Sequence, residues 1–324
     1  MRNKELQPVD PGKNSLRSLL GELQESFHQE KYLSSDPLEF VHRYHDPWDQ
    51  EAVALLAGLL AYGNVKLIRR SVQDALSRID NIAPSPRAFV KSLSTEDGFK
   101  RAETEFRGFV HRFNVGADLV LLFALLSRSW RVHGSLGAHF VSHLNPEAAD
   151  VGPAINALIK EWRAWAANAR PRVARGSFSY LLTAPEDGSC CKRWCMFLRW
   201  MGRKDRLDPG LWTEQGSLAA TFGAGRWLKA TQLVIPLDTH TGRISQYLSL
   251  TKRRSLNWLA ALEVTQSLKT CDPLDPTRYD FALARLGILD LCQRKYRKHI
   301  CEQCMLLPAC HFAQRTYPES PLES

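Results

Sequence analysis

Apolar residues along most of this chain return at intervals of three and four, the period of a helix, and no run alternates with the two-residue period of a strand. Leu16, Leu19, Leu20, Leu23 and Phe27 follow Ser15, a residue type that caps helix N-termini, and mark one amphipathic helix. The segment 49–64, DQEAVALLAGLLAYGN, opens on Asp49 and is apolar nearly all round, which predicts a buried helix. Ile68, Val72, Ala75, Leu76 and Ile79 form another stripe. Residues 117–132 and 153–167 give two more; Pro153 opens the second, and Ile155, Leu158, Ile159, Trp162 and Trp165 face inward. With no Asn-Gly hairpin turn in view, the expectation is an all-α fold of about a dozen helices. Residues 203–230, rich in glycine and charge, read as a long connection with one short helix. Residues 1–14, polar and carrying Pro8 and Pro11, read as a loose leader, and 316–324 as a short tail.

The longest apolar run near the middle, LVLLFALL at 119–126, has eight residues, far from the roughly 20 that span a bilayer. The first residues lack the apolar core of an export signal, so we expect no membrane association and a reducing, cytoplasmic setting. Disulfides are disfavoured there, and eight cysteines with four in one tight pattern point instead to metal or cluster ligation. A net charge of +9 makes a polyanionic partner plausible without identifying one.

The tight pattern is C-x8-C-x2-C-x5-C, formed by Cys292, Cys301, Cys304 and Cys310. Four thiolates suit tetrahedral zinc or a [4Fe–4S] cluster. One CxxC pair with two single ligands, rather than two CxxC pairs, favours the cluster; zinc and unligated buried thiols stand as alternatives. Arg294, Lys295, Arg297, Lys298 and His299 make the first loop of the cage basic. Held rigidly, that loop would present Arg297 and Lys298 to phosphates; the alternative is a solvated loop that offsets the charge of the cage.

In LVIPLDTHTGRISQYLSL, Asp238 follows an apolar run and precedes a helix bearing Ile244, Tyr247, Leu248 and Leu250. A carboxylate at that N-cap accepts backbone N–H groups and sits at the positive end of the helix dipole, and both effects keep it ionised. A fixed negative charge beneath a sugar lowers the barrier to breaking an N-glycosidic bond. Taken alone, a plain helix cap is the simpler reading of Asp238. One turn on, Arg243 could meet a phosphate, while His240 reads as serving the local structure.

The segments PLDTHTGRISQYLSL and YDFALARLGILDLC, with the cysteines that follow, are similar to the helix-hairpin-helix (HhH-GPD) DNA glycosylase superfamily. The likeness is to its endonuclease III group, in which a VDTH segment opens a helix ahead of a C-x6-C-x2-C-x5-C cluster motif. The first spacing here is eight, which enlarges the first loop of the cage. CKRWCMFLRWMGRKD, LDTHTGRIS and YDFALARLGI resemble still more closely a bacterial branch of that superfamily with no assigned activity.

The resemblance covers about residues 40–310 and implies a two-domain helical glycosylase-like fold with a C-terminal [4Fe–4S] loop. It implies a helical barrel over 46–237, with a hairpin-like element near 185–202, and a cluster domain built from 15–45 plus 238–315. It further implies a monomeric DNA-repair enzyme acting on double-stranded DNA with a damaged base. Lys192 takes the position of the lysine that forms a Schiff base with the sugar in those members that also nick the backbone. Gly188 stands at the hairpin turn with Arg193 beside the lysine as a DNA contact, while Cys190 stands where a second hairpin glycine is missing. Lys204 and Lys66 are fallback lysines, and Cys190, Cys191 and Cys195 read as ordinary buried thiols.

Tyr62, Asn64 and Lys66 match the place where the superfamily inserts residues into the duplex gap or lines the base pocket. Trp194, Trp200 and Trp212 are further possible stacking faces, and Tyr279 and Asp280 read as a structural helix start. The insertion between Lys192 and Asp238 resembles the archaeal 8-oxoguanine branch, which implies an oxidised purine as the lesion. Two other readings stand beside this one: a non-catalytic binder of damaged or branched nucleic acid, and a zinc-stabilised helical interaction protein.

Overall fold

The structure, a computed structural model, describes residues 15–169, 171, 175–223 and 225–316. The expected leader, and the expected tail after its first residue, lie outside the described residues. What is described is predominantly helical, as the apolar periodicity predicts. Helix α1 (Leu16–Phe27) is capped by Ser15, whose hydroxyl accepts from Ser18 N at 3.3 Å, and buries Leu19, Leu20 and Leu23. After two 3₁₀ segments, α2 (Pro47–Leu59) begins two residues before the expected Asp49. Asp46 is its cap, accepting from Trp48 N and Asp49 N at 2.9 and 3.2 Å, and Pro47 fits the first turn, where no N–H is needed.

Helices α3 (Val65–Ile82), α4 (Pro86–Ser92) and α5 (Glu96–Glu105) follow, and α3 buries the five apolar residues read from its stripe. A short hairpin that no turn signal announced then pairs β1 (Val110–His111) with β2 (Asn114–Val115). Its turn is Arg112-Phe113, with Arg112 in the left-handed region (φ 55°), so neither Asn-Gly nor Asp-Gly marks it. Next come α6 (Gly116–His133), α7 (Leu136–Ser142), α8 (Gly152–Ala167), α9 (Arg175–Leu181) and α10 (Lys192–Gly202). The described residues end with α11 (Thr239–Tyr247), α12 (Trp258–Lys269), α13 (Asp280–Ile288), α14 (Lys298–Cys301) and α15 (His311–Thr316).

Two features set the positions of the helix ends that matter below. At Gly58 in α2 an added Cβ would lie 3.1 Å from the Phe197 Cβ, so α2 and α10 pack backbone to side chain. At Gly287 in α13 an added Cβ would meet the His240 Cβ at 2.4 Å, so α13 and the start of α11 approach with no room for any other residue. Helix α1 also packs on α13, and Arg278 at the approach to α13 donates to Gln24 Oε1 at 2.8 Å.

The stretch 203–230 is not a loose connection. Leu207, Leu211, Trp212, Leu218 and Leu228 are buried, and Gly210 N and Trp212 N donate to Trp200 O and Met201 O on α10. The Trp212 indole reaches Glu51 on α2 at 2.8 Å. Glu51 is fully buried and accepts three further N–H groups, from Trp130 Nε1, Leu136 N and Gly137 N at 2.6, 2.9 and 3.0 Å.

Candidate active site

Lys192 opens α10, where the close packing of α2 brings it under the last turn of that helix, and its Nζ donates to Ala61 O at 3.2 Å. Asp238 caps α11 as read: Oδ1 accepts from His240 N and Thr241 N at 2.8 and 2.9 Å. Both residues line one cavity of about 910 Å³, together with Tyr62, Cys190, Thr241 and Asp280. Lys66 and Lys204, the fallback lysines, do not line it.

The turn into α10 carries two left-handed residues, Gly188 (φ 76°) and Cys191 (φ 51°). The non-glycine residue in the second left-handed position is therefore Cys191, not Cys190, and it holds that backbone at a cost of about 1–2 kcal/mol. Cys190 is turned toward the opposite wall, where its thiol donates to Leu237 O at 3.1 Å, one residue before Asp238. Burial raises the Cys190 thiol above its ordinary value, and Asp238 and Lys192 act on it in opposite senses, so it lies within electrostatic reach of both.

Asp280 is buried and pushed up to about 6, chiefly by burial; its ion pair with Arg199 opposes this, the charge of Asp238 adds to it, and Lys192 lowers it. An amine, a capped carboxylate and a second carboxyl titrating near 6 thus converge on one space. Such a set serves nucleophilic displacement with acid–base assistance. Sequence reasoning treated Asp280 as a helix start and Cys190 as an ordinary thiol; only their contacts bring them to the site.

Tyr62 lines the cavity and anchors an aromatic group: it stacks with Phe113 from the hairpin at 5.7 Å and meets Tyr180 edge-on at 4.9 Å. Its hydroxyl donates to Asn114 Oδ1 at 2.6 Å, and burial raises it to about 12. Arg193, expected on DNA, is instead 7% exposed, donates to Leu59 O at 2.9 Å and to Tyr180 O, and lies over the Tyr180 ring. Asn64 caps α3 by accepting from Lys66 N at 2.9 Å and also lines the cavity, while Lys66 is exposed. Arg243, expected on a phosphate, donates to Cys292 O at 2.7 Å and so braces the cage. Trp194, Trp200 and Trp212 are at most 1% exposed, which removes them as stacking faces.

The four cage cysteines share one neighbourhood. Burial pushes the Cys292 thiol up to about 11, and Cys304, Cys310 and Cys301 each raise it further. Arg297 N donates to Cys301 Sγ at 3.4 Å, and although burial raises the Cys304 and Cys310 thiols, the nearby amides of Leu306 and Leu307 and of Phe312 and Ala313 act to lower them. Amides directed at sulfur stabilise thiolates, so this donor set fits a four-thiolate group. Arg294, Lys295, Arg297, Lys298 and His299 are all exposed around it.

A family model described as "Protein of unknown function (DUF2400)" matches residues 36–289. The chain belongs to the DUF2400 family. No curated protein and no solved structure matches the chain. The DUF2400 match takes in Tyr62, Lys192, Asp238 and Asp280, so the cavity lies within the family's span except for Ser35 and Asp290 at its margins, whereas the cage begins just beyond it at Cys292.

Proposed function

We propose that this DUF2400 protein is a DNA-repair glycosylase whose nucleotide pocket is the cavity between α2, α10, α11 and α13. The convergence of Lys192 and Asp238 on one cavity carries the reading, because neither residue alone separates catalysis from a plain surface lysine and a plain helix cap. On this reading α1 with α11 to α15 forms one lobe, α2 to α10 the other, and a damaged base flips between them.

Asp238, held by two amides on Oδ1, keeps its negative charge beneath the sugar as the C1′–N bond lengthens. The Lys192 amine attacks C1′, the base departs with the bonding electron pair and takes up a proton, and loss of the amine proton with ring opening gives a Schiff base. Asp280, titrating near 6, supplies or accepts those protons. The resemblance favours an oxidised purine as the lesion.

Cys292, Cys301, Cys304 and Cys310 would hold a [4Fe–4S] cluster. Its contribution is structural: it ties the basic loop of Arg297 and Lys298 into a fixed surface for the phosphate backbone. Protein purified without oxygen is expected to carry about four iron atoms per chain. An iron-free wild-type preparation overturns the cluster.

Incubating the chain with duplexes carrying single lesions and then borohydride tests the activity. Wild type is expected to leave a covalent adduct and Lys192→Ala none. If no lesion is released or trapped although the duplexes are bound, the non-catalytic binder replaces the glycosylase.

A further inference from the structure

Three helices meet at a second polar cluster that takes no part in the cavity: α6 ends on His133, α7 carries His139 with His143 just after it, and α8 carries Glu161. We propose that His133, His139 and Glu161 bind one divalent transition-metal ion, zinc by the character of the donors. The ligand atoms of these three all lie within 4.8 Å of one another, and they are the one such group of three among the described residues.

The argument starts from Ser129. Its hydroxyl has one proton, donated to Leu125 O at 3.0 Å, and it accepts from Trp162 Nε1 at 3.1 Å. The remaining contact, to His139 Nδ1 at 3.0 Å, must then run from the ring: Nδ1–H donates and Oγ accepts. With Nδ1 carrying the proton, Nε2 of the neutral ring directs its lone pair at Glu161 Oε2, 3.2 Å away. A lone pair against a carboxylate oxygen at that distance is repulsive unless a proton or a metal ion lies between them. The same oxygen also faces His143 Nε2 at 3.1 Å. One carboxylate oxygen is thus crowded by two imidazoles, and a third ring, His133, stacks on His139 with centroids 4.1 Å apart and planes within 4°.

A single dication would satisfy the contact between His139 and Glu161, with the His133 ring turning out of its stack to bring a nitrogen to the ion. Two ligands about 2.1 Å from a tetrahedral zinc are about 3.4 Å apart, close to the 3.2 Å already present between His139 Nε2 and Glu161 Oε2. Imidazole with carboxylate is a donor set that zinc accepts, and a serine oxygen fixing the far nitrogen of a ligating histidine is the outer contact such sites use. His139 is fully buried while His133 and Glu161 are half-buried, so an ion can enter from solvent and still bind firmly. The product would be a staple joining α6, α7 and α8.

Zinc uptake by the full-length chain, measured by equilibrium dialysis and elemental analysis, tests the proposal, with cobalt as a spectroscopic stand-in. We expect one zinc beyond whatever the cysteine cage holds, and a cobalt difference spectrum with visible bands but no thiolate-to-metal charge transfer. Glu161→Gln and His133→Ala, both at half-exposed positions, should each weaken binding at least tenfold without changing the far-ultraviolet circular dichroism. Ser129→Ala should weaken it about 10–100-fold. The proposal is overturned if no such zinc binds, if both variants bind it like wild type, or if the cobalt spectrum is that of thiolates. An imidazolium–carboxylate pair without a metal would give the first of these results.

Discussion

Asp238→Asn is expected to leave thermal stability nearly unchanged while lowering base release by about 10²–10³-fold. On the proposed reading, the substitution separates two jobs of one side chain. Asn caps helices as well as Asp does, and the capping atom here, Oδ1, accepts from His240 N and Thr241 N at 2.8 and 2.9 Å, bonds an amide oxygen also makes. Only the negative charge is lost, and with it, on the proposed mechanism, the stabilisation of the developing sugar cation. Asp238→Ala removes both jobs and should cost about 1 kcal/mol of stability in addition. Single-turnover release from a lesion duplex, paired with thermal unfolding, reads the two separately. Full activity in Asp238→Asn would remove Asp238 from the chemistry and leave it a cap.

Glu51 carries the second large effect, on stability rather than activity. Its two oxygens take four N–H groups in a fully buried site, two from indoles and two from the first turn of α7. Removing the carboxylate strands four buried donors at about 1–3 kcal/mol each, so Glu51→Ala is expected to lose about 4 kcal/mol or more. Glu51→Gln keeps the shape yet turns an NH₂ toward two of those donors, so it should lose about 2 kcal/mol or more despite being isosteric. Urea unfolding of the two variants provides the measurement; a Gln variant as stable as wild type would mean the carboxylate is not the hub.

The apolar stripes were legible because a helix that buries one face writes its period into the chain, and Ile68 through Ile79 appear in α3 as read. Asp238 was legible for a similar reason, since a cap is a local contact between residues two and three apart. What escaped was held by distant partners. Residues 203–230 look like a linker by composition, yet Trp212 is fixed by Glu51, 161 residues away in sequence, and by the backbone of α10. Asp280 became a site residue only because α13 lies against the start of α11, which His240 and Gly287 make possible. The hairpin at 110–115 was hidden because arginine occupies its left-handed turn position. Arg193 and Arg243 looked like phosphate ligands by charge, and their carbonyl partners, 134 and 49 residues away, decide otherwise.

The docking of α1 on α13 has a consequence for the order in which the molecule is made. Gln24 and Arg278, which bond across that contact, are 254 residues apart in sequence. At roughly 5–20 residues per second, translation delivers the partner of α1 some tens of seconds after α1 itself. Through that interval its apolar face, Leu19, Leu20 and Leu23, has no permanent cover, while the core around α2 and α10 can already close. Because Asp238 and Asp280 arrive in the same late segment, the nascent chain gains a stable core before it gains a complete pocket, and α1, although made well before α2 and α10, is among the last elements to be seated.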